Sequence, residues 1–280
     1  MSEKLKHKLR DKIAKLIGFD IKERDMDSLI TRFGILALQR GYQNLHEAIE
    51  SLESDPELLM DTVELVSVSE SYFFREPAQF EALAQILPEL YARLHHPVRI
   101  WSVGTARGEE LCTIAIIAHE SGIPVYLLGT DVSKSMVETA KRGVFSSWSL
   151  RIVSNEIKEK YFVSEGGFFR LKDEIRRMCR FKRHNILRDP LPISGEPDRW
   201  DIIFCRNLLI YFTPEAIEVV KDRLYQSLSD DGLLFVASSE VLLTANAHRF
   251  ESFEKNGVFI LRKLEKSRQH RLRSLNSLSF

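Results

Sequence analysis

Cysteine is scarce in this sequence, and the few cysteines present are not paired. Only Cys112, Cys179 and Cys205 occur among 280 residues, and no two of them have Cys-x-x-Cys spacing. This distribution argues against a disulfide framework and against a zinc knuckle, so we predict no metal site. Scattered free thiols are typical of a reducing compartment, which predicts a cytoplasmic location.

The sequence also lacks an excess of charge and any long hydrophobic run. Forty acidic and forty basic residues cancel, so no overall field attracts the chain to nucleic acid or to a membrane surface. No apolar stretch approaches the length of a membrane span. We therefore expect no nucleic-acid partner and no membrane insertion. At 44% hydrophobic residues, the chain is long enough for a full core and for two domains.

The first part of the chain has the pattern of short helices. Leu5, Leu9, Ile13 and Leu16 recur at helical spacing before Gly18, and further helices are indicated at Met26–Gln39, after Asn44 with a capping box to Glu47, and after Asp55-Pro56. We expect residues 1–78 to form a small all-α domain. Its basic positions Arg24, Arg32 and Arg40 are either solvated helix faces, the simpler interpretation, or contacts for an acidic partner.

Strands and helices alternate over residues 79–264, a pattern typical of a doubly wound parallel sheet. The predicted strands are Val98–Val103, Val125–Thr130, Arg180–His184, Asp201–Phe204 and Gly232–Ala237, followed by a hairpin over Phe250–Leu264 with its turn at Lys255-Asn256-Gly257. The predicted helices are Pro77–Arg93, Glu109–His119, Ser133–Lys141 and one after Pro214.

Residues 145–178 exceed what a simple connection between a helix and a strand requires. Within them, Lys160–Ser164 and Phe168–Lys172 flank Gly166-Gly167, a pair suited to a tight type I′ turn. We predict an inserted antiparallel β-subdomain. Its open edge could recruit a peptide as an added strand, or the hairpin could be purely structural, and the sequence does not separate the two. The basic segment 265–280 has little apolar periodicity and is expected to be disordered.

Polar residues follow the predicted parallel strands where such sheets bind ligands. Gly104 and Gly108 lie in the turn after the first strand, and Asp131 ends the second, an arrangement suited to a cofactor that carries adenosine. The Gly-x-Gly-x-x-Gly pattern of dinucleotide enzymes is missing, which makes a nicotinamide-dependent reductase the weaker candidate. We interpret Glu109 as an acid that favours the helix dipole. Arg206, Asn207 and Tyr211 follow the fourth strand and are further candidate site residues.

Taken together, these segments resemble the CheR family of S-adenosylmethionine-dependent protein-glutamate methyltransferases over residues 10–264. The resemblance depends on motifs in a fixed order: Ser69–Pro77, Trp101–Glu110, Thr130–Asp131, Asn185–Ile186, Phe204–Phe212, and Asp231–Phe235 with Ser239–Glu240. Each motif alone is weak, and their order and spacing make the match specific. The resemblance implies a Rossmann-like class I methyltransferase sheet of the α/β class, with an all-α N-terminal domain and an inserted antiparallel β-subdomain.

The resemblance also implies roles for individual residues. The residues expected to contact S-adenosylmethionine, or its product S-adenosylhomocysteine, are Ser69, Ser71, Arg75, Gly104, Glu110, Asp131, Asn185, Ile186, Asn207 and Leu208. Arg75 and Tyr211 are implied as catalytic residues, placed where the methyl group meets the substrate carboxylate. The implied substrate is an acidic helical protein similar to the cytoplasmic domain of a chemoreceptor, methylated on glutamate side chains to give methyl esters in chemotaxis-type signalling.

This residue set suits the chemistry of ester formation. A glutamate side chain with a pKa of about 4.3 is already an anionic nucleophile at neutral pH, so no general base is needed. Positioning the carboxylate against the methyl group can by itself contribute about 7 kcal/mol or more. An alternative is a catalytically weak relative that acts as a signalling adaptor. Arg75, Asp131, Asn207 and Tyr211 favour the enzyme, because a scaffold does not require them.

Overall fold

Residues 3–192, 199–241 and 249–264 are described by the computed structural model, which begins with four helices. These are α1 (Glu3–Ile17), α2 (Glu23–Gln39), α3 (Leu45–Ser51) and α4 (Pro56–Val66). Their apolar faces meet in one buried cluster around Leu9, Ile13 and Phe33. The expected helices are therefore present, and each of the first two extends by a few residues beyond the predicted bounds.

Side-chain caps explain where α3 and α4 begin. The Asp55 carboxylate accepts the backbone N–H groups of Glu57 and Leu58, with Pro56 at the first helical position, as expected. The Asn44 side chain accepts the N–H of Glu47 at 2.9 Å. Only this half of the predicted capping box is present. The Glu47 carboxylate accepts from the N–H of Gln43, whereas a full capping box requires it to accept from the N–H of Asn44.

Arg40 is not a free basic position on the helical domain. Its guanidinium donates to Asp61 Oδ2 at 2.8 Å and 2.6 Å and also binds Glu57, so it links the end of α2 to α4. The charge of Arg40 is therefore compensated within the domain, and its contact with an acidic partner stays a prediction. Arg24 and Arg32 remain exposed on α2.

The rest of the described chain builds a seven-stranded sheet and a three-stranded sheet. In chain order the elements are α5 (Pro77–Leu94), β1 (Val98–Val103), α6 (Glu109–Glu120), β2 (Val125–Asp131), α7 (Lys134–Arg142), β3 (Val144–Ser146), α8 (Asn155–Tyr161), β4 (Phe162–Glu165), β5 (Phe168–Leu171), α9 (Asp173–Arg176), β6 (Cys179–Arg183), β7 (Trp200–Cys205), α10 (Pro214–Ser227), β8 (Leu228–Phe235), β9 (Phe250–Lys255) and β10 (Val258–Lys263).

The large sheet has the order β6-β2-β1-β7-β8-β10-β9. Its first five strands run parallel, and β10 pairs antiparallel with β8 and β9. All six residues of β7 are buried, as expected for a strand covered on both faces. The strand order reverses between β1 and β7, so a crevice opens beyond their carboxyl ends. This architecture confirms the predicted α/β fold with a mainly parallel sheet.

Strand β8 begins four residues before its expected start. The segment Asp230-Asp231-Gly232 has the composition of a turn, and Asp231 has a φ of 59°. The pairing with β7 shifts register between Trp200 and Ile202, so the segment lies in the strand as an irregularity.

The inserted subdomain is the three-stranded antiparallel sheet, with the order β3-β5-β4. Gly166 and Gly167 both have positive φ, 56° and 86°, as the predicted tight turn requires. Lys160 and Tyr161 were wrongly predicted as strand residues. They end α8, because Ser154 caps this helix and the fully buried Tyr161 packs inwards from it. The predicted disordered tail, 265–280, lies outside the described residues.

The helical domain is bonded directly to the sheet. The Gly18 carbonyl accepts the N–H of Thr213 at 2.9 Å, and the Tyr211 carbonyl accepts the N–H of Asp20 at 2.8 Å. Phe19 forms an isolated β-bridge with Phe212. Residues of both parts share one apolar core. Across the described ranges, none of the helices is both long enough and apolar enough to span a membrane.

Candidate active site

A cavity lies beyond the carboxyl ends of β1, β2, β6 and β7, where the sequence predicts a site. Eleven of the predicted residues line it: Ser71, Arg75, Gly104, Glu110, Asp131, Asn185, Ile186, Arg206, Asn207, Leu208 and Tyr211. Ser69 is not among the lining residues. Its hydroxyl instead accepts a hydrogen bond from Arg107 Nη2 at 3.0 Å, beside the cavity.

The turn after β1 brings the backbone close to the loop after β7. Gly104 has a φ of 70°, which residues with a side chain rarely adopt. A Cβ atom at this position would lie 3.1 Å from both methyl carbons of Leu208. Glycine is therefore required here for the two walls of the cavity to approach each other.

Asp131 ends β2 with its carboxylate held by the backbone. Oδ2 accepts the N–H of Ala106 and Oδ1 accepts that of Ser133, each at 2.9 Å. Burial raises the pKa of Asp131, and these two bonds partly offset that effect. An ionised carboxylate has about four acceptor positions, so the geometry leaves capacity for hydroxyl groups of a ligand. Ribose hydroxyls are suitable donors.

Arg206 is the central charged group of the cavity wall. Its Nη1 lies 3.1 Å from Glu110 Oε2, and its Nη2 donates to the backbone carbonyl of Arg75 at 2.5 Å. Ser102 Oγ donates to the other Glu110 oxygen at 2.8 Å. Burial raises the pKa of Glu110, while the positive charge of Arg206 opposes this rise. Arg206 therefore joins the start of α6 to the segment that carries Arg75.

Residues 69–76, which we call the strap, cross the cavity between α4 and α5 without regular structure. The N–H of Phe73 donates to the Ser149 carbonyl at 2.9 Å, and that of Phe74 donates to Thr113 Oγ1 at 3.1 Å. The Phe73 ring packs edge-on against Phe145 at 4.8 Å between centroids. The strap is thus anchored to α6 and to the inserted subdomain.

Glu109 is the first residue of α6, where an acid favours the helix dipole as the sequence predicts, and its side chain is buried. It has no exposed surface, and one of its oxygens accepts from Ser149 Oγ at 3.0 Å. Burial raises the pKa of this carboxyl group. The burial of Glu109 has a simple cause. The inserted subdomain covers the start of α6, and sequence periodicity does not reveal that contact.

Glu240 holds the loop that follows β7. One carboxylate oxygen accepts the N–H of Leu209 at 2.7 Å and that of Ile210 at 3.3 Å, and the other accepts the N–H of Asn207 at 2.7 Å. Glu240 is fully buried, and burial raises its pKa. Asn207 has a φ of 53°, so these bonds stabilise an unusual backbone turn. They fix the loop from which Tyr211 faces the cavity.

The helical domain contributes wall residues that sequence reasoning missed. Ile17 and Phe19, at the end of α1, both line the cavity. The predicted ligand Asn185 uses its side chain for the same junction, since Nδ2 donates to the Leu16 carbonyl at 3.0 Å and Oδ1 accepts the N–H of Leu187. Asn185 thus lines the cavity while its amide joins the two domains. In the sequence, only Gly18, which ends the helix, followed by the apolar Phe19 indicates that this junction could contribute to the site.

The composition of the wall suits a nucleoside-bearing cation. Three carboxylates, Glu70, Glu110 and Asp131, lie among apolar groups such as Phe80 and Leu208. The cavity has a volume of about 80 Å³. Within the described ranges, no group of three or more His, Cys, Asp or Glu side chains is placed to hold a metal ion.

Comparison with known proteins gives a consistent result. Residues 69–259 match the family described as "CheR methyltransferase, SAM binding domain". The chain is 32% identical over 241 residues to a protein named "Chemotaxis protein methyltransferase" from Vibrio parahaemolyticus, covering 82% of this chain and 84% of that protein. Proteins of the same name from Listeria monocytogenes and Borreliella burgdorferi are 30% and 28% identical, covering 81% and 83% of this chain and 86% and 89% of their own lengths.

Proposed function

This chain belongs to the CheR methyltransferase family, and from that premise we propose that it methylates glutamate side chains of a chemoreceptor. It is an S-adenosylmethionine-dependent methyltransferase of chemotaxis. The finer proposal is that a glutamate carboxylate becomes a methyl ester. The observation that carries this proposal is that Arg75 and Tyr211, which come from segments far apart in sequence, line the same cavity as Asp131 and Glu110.

The residues of the cavity divide into those that hold the methyl donor and those that face the acceptor. Asp131 would accept hydrogen bonds from ribose, while Glu110, Gly104 and the loop at Asn207 would hold the remainder of the donor. When bound, S-adenosylmethionine supplies an electrophilic methyl group on a positively charged sulfur. A wall with buried carboxylates tolerates that positive charge.

Arg75 and Tyr211 would act on the acceptor carboxylate. The guanidinium offers paired N–H donors that orient a carboxylate, and the phenol O–H can fix one of its oxygens. The carboxylate is already ionised at neutral pH, so neither residue removes a proton. Too strong an ion pair would stabilise the anion more than the transition state, in which this charge is being neutralised. Arg75 therefore orients the substrate, and catalysis depends on position.

We propose an acidic helical receptor domain as the partner, and a cytoplasmic location with it. A groove next to the cavity is lined by Tyr211 and by more basic than acidic side chains, namely Lys22, Arg24 and Arg32 against Asp20 and Asp25. This arrangement supports the approach of an acidic helix. A peptide docking on the outer strands of the inserted sheet, β3 or β4, remains part of the proposal. No contact of the described residues favours the adaptor alternative.

The proposal is tested by transfer of radiolabelled methyl groups from S-adenosylmethionine to a purified chemoreceptor cytoplasmic domain. We expect label in the receptor that is released as methanol in mild base, since carboxyl methyl esters hydrolyse there. A receptor whose candidate glutamates are replaced by alanine should accept none. Base-stable label would show that another side chain is the substrate, and the glutamate proposal would then be wrong.

We expect binding of S-adenosylhomocysteine to weaken as the pH falls from neutrality towards the ordinary aspartate pKa of about 3.9. Burial raises the pKa of Asp131, so protonation, which removes acceptor capacity, begins at a higher pH than in an exposed aspartate. Calorimetric titration across this range measures the effect. Asp131→Asn should bind more weakly at neutral pH, by a few kcal/mol at most, and depend less on pH. Parallel pH curves for the two proteins would exclude Asp131 from cofactor binding.

Tyr211→Phe should lower kcat by roughly 1–3 kcal/mol in activation free energy, the effect of losing one hydrogen bond to a charged group. The dissociation constant for S-adenosylhomocysteine should stay unchanged. The kcat of the unaltered protein should be constant above about pH 6, because the acceptor carboxylate is ionised there. A rate that rises tenfold per pH unit through neutrality would instead require a general base and contradict the positioning mechanism.

A further inference from the structure

Arg151 lies in the inserted subdomain, just after β3, and contacts the strap with its whole side chain. Its Nη2 lies 3.0 Å from Glu70 Oε1, and its Nη1 donates to the Trp148 carbonyl at 2.9 Å. The guanidinium carbon lies 3.5 Å from the centre of the Tyr72 ring and 4.1 Å from that of Trp148. Arg151 is therefore held between two aromatic rings while it binds the strap by an ion pair.

The same two strap residues also contact Arg75. The Glu70 backbone carbonyl accepts a hydrogen bond from Arg75 Nη1 at 2.9 Å. The Arg75 guanidinium carbon lies 5.8 Å from the centre of the Tyr72 ring, within the range of a cation–π contact. Arg151 is thus linked to Arg75 in two ways. One link is through Glu70, and the other is through Tyr72.

We propose that Arg151 is a positioning residue for Arg75, acting through Glu70 and Tyr72. Its guanidinium fixes the side chain of Glu70 and the ring of Tyr72, and these two residues hold the guanidinium of Arg75 in the cavity. The effect on transfer rests on the function proposed above, whereas the effect on the strap does not. By this proposal the inserted subdomain contributes to the geometry of methyl transfer as well as to the fold.

The strap forms part of the cavity wall, so anchoring it affects the position of Arg75. The strap is an irregular segment, and four of its residues, Glu70, Ser71, Tyr72 and Arg75, line the cavity. Its centre, Phe73, is fully buried and bonded to Ser149, whereas Glu70 is exposed and Arg75 half-buried. Arg151 supplies a second anchor at the more exposed end. That anchor holds the two strap residues, Glu70 and Tyr72, that contact the Arg75 guanidinium.

Steady-state kinetics of Arg151→Ala tests the proposal. We expect kcat on the receptor domain to fall about three- to tenfold, the scale of one partly exposed ion pair and a stacked guanidinium. The dissociation constant for S-adenosylhomocysteine should change less than about twofold. Arg170→Ala is the matched control, because Arg170 pairs with Glu165 at 2.7 Å in the same subdomain and this pair lies away from the strap. Its kcat should be unchanged.

Two further variants separate positioning from a general loss of structure. Arg151→Lys keeps the ion pair with Glu70 but not the planar stacking on Tyr72, so its kcat should lie between those of the unaltered protein and Arg151→Ala. Glu70→Ala removes the carboxylate but keeps the carbonyl that Arg75 binds. Adding it to Arg151→Ala should lower kcat little further. A kcat of Arg151→Ala equal to that of Arg170→Ala, or fully additive losses, would overturn the proposal.

Amide hydrogen exchange provides a readout that needs no substrate. In Arg151→Ala the strap peptide, residues 69–76, should exchange about three- to tenfold faster, while a peptide from α10 exchanges as before. Unchanged exchange in the strap would also overturn the proposal. If the unaltered protein transferred no methyl group to the receptor domain, the proposed function would fail, but the exchange experiment would still decide whether Arg151 anchors the strap.

Discussion

Replacing Arg206 with methionine is expected to lower the free energy of unfolding by about 3–5 kcal/mol and to abolish measurable cofactor binding. Arg206 is only 6% exposed and pairs with Glu110 at 3.1 Å and with Glu76 at 3.5 Å. Without it, the buried Glu110 carboxylate has no compensating charge, and the pKa of Glu110, already raised by burial, should rise further. Urea unfolding and calorimetric titration with S-adenosylhomocysteine measure the two effects.

A surface arginine and a double variant serve as controls for Arg206→Met. Arg40→Met breaks exposed ion pairs with Glu57 and Asp61 and should lower the free energy of unfolding far less than Arg206→Met does, because solvent screens these pairs. Adding Glu110→Gln to Arg206→Met removes the stranded charge and should restore part of the stability. If Arg206→Met were as mild as Arg40→Met, the buried ion pair would not be what joins the strap to α6.

Arg75→Ala is expected to lower kcat about a hundredfold or more, equivalent to roughly 3 kcal/mol of activation free energy. Arg75 is the cation of the strap and faces the same cavity as Tyr211. Losing its paired donors leaves the acceptor carboxylate unoriented, while the cofactor keeps Asp131 and Glu110. Rapid-mixing measurements of methyl transfer at saturating cofactor give kcat for the step itself.

The same variant shows which partner Arg75 serves. The dissociation constant for S-adenosylhomocysteine should rise less than tenfold, far less than the loss in kcat. Arg75→Lys should recover only a small part of the rate, because a lysine ammonium cannot donate two parallel hydrogen bonds to a carboxylate. A loss of affinity as large as the loss of rate would make Arg75 a cofactor ligand and not a residue that acts on transfer.

The sequence predicts the fold well where the signal is local. The β7 segment is an uninterrupted apolar run followed at once by Arg206 and Asn207, and a buried parallel strand is the one element that this pattern allows. The glycines at 166 and 167 predict the hairpin for a similar reason, since a tight turn requires positive φ at both positions. These features depend only on neighbouring residues.

The parts of the site that escaped prediction depend on contacts between distant residues. Leu16 and Asn185 are 169 positions apart, and Glu240 lies 33 positions from the loop residue Asn207 that it holds. No periodicity connects such pairs. Tyr161 was misassigned because an aromatic residue at the end of a helix and one at the start of a strand have the same local sequence pattern. Burial against another segment decides between them.

The junction at Ile17, Gly18 and Phe19 means that the helical domain is not an exchangeable module. A chimaera that carried a helical domain from another protein would also carry a foreign piece of cofactor wall, with the bonds to Tyr211 and Thr213 still to be remade. By the function proposed above, divergence of substrate choice would be confined to one side of this domain. The outward face of α2, with the exposed Arg24 and Arg32, would change from one receptor to another, while the end of α1 would be retained as part of the cavity wall.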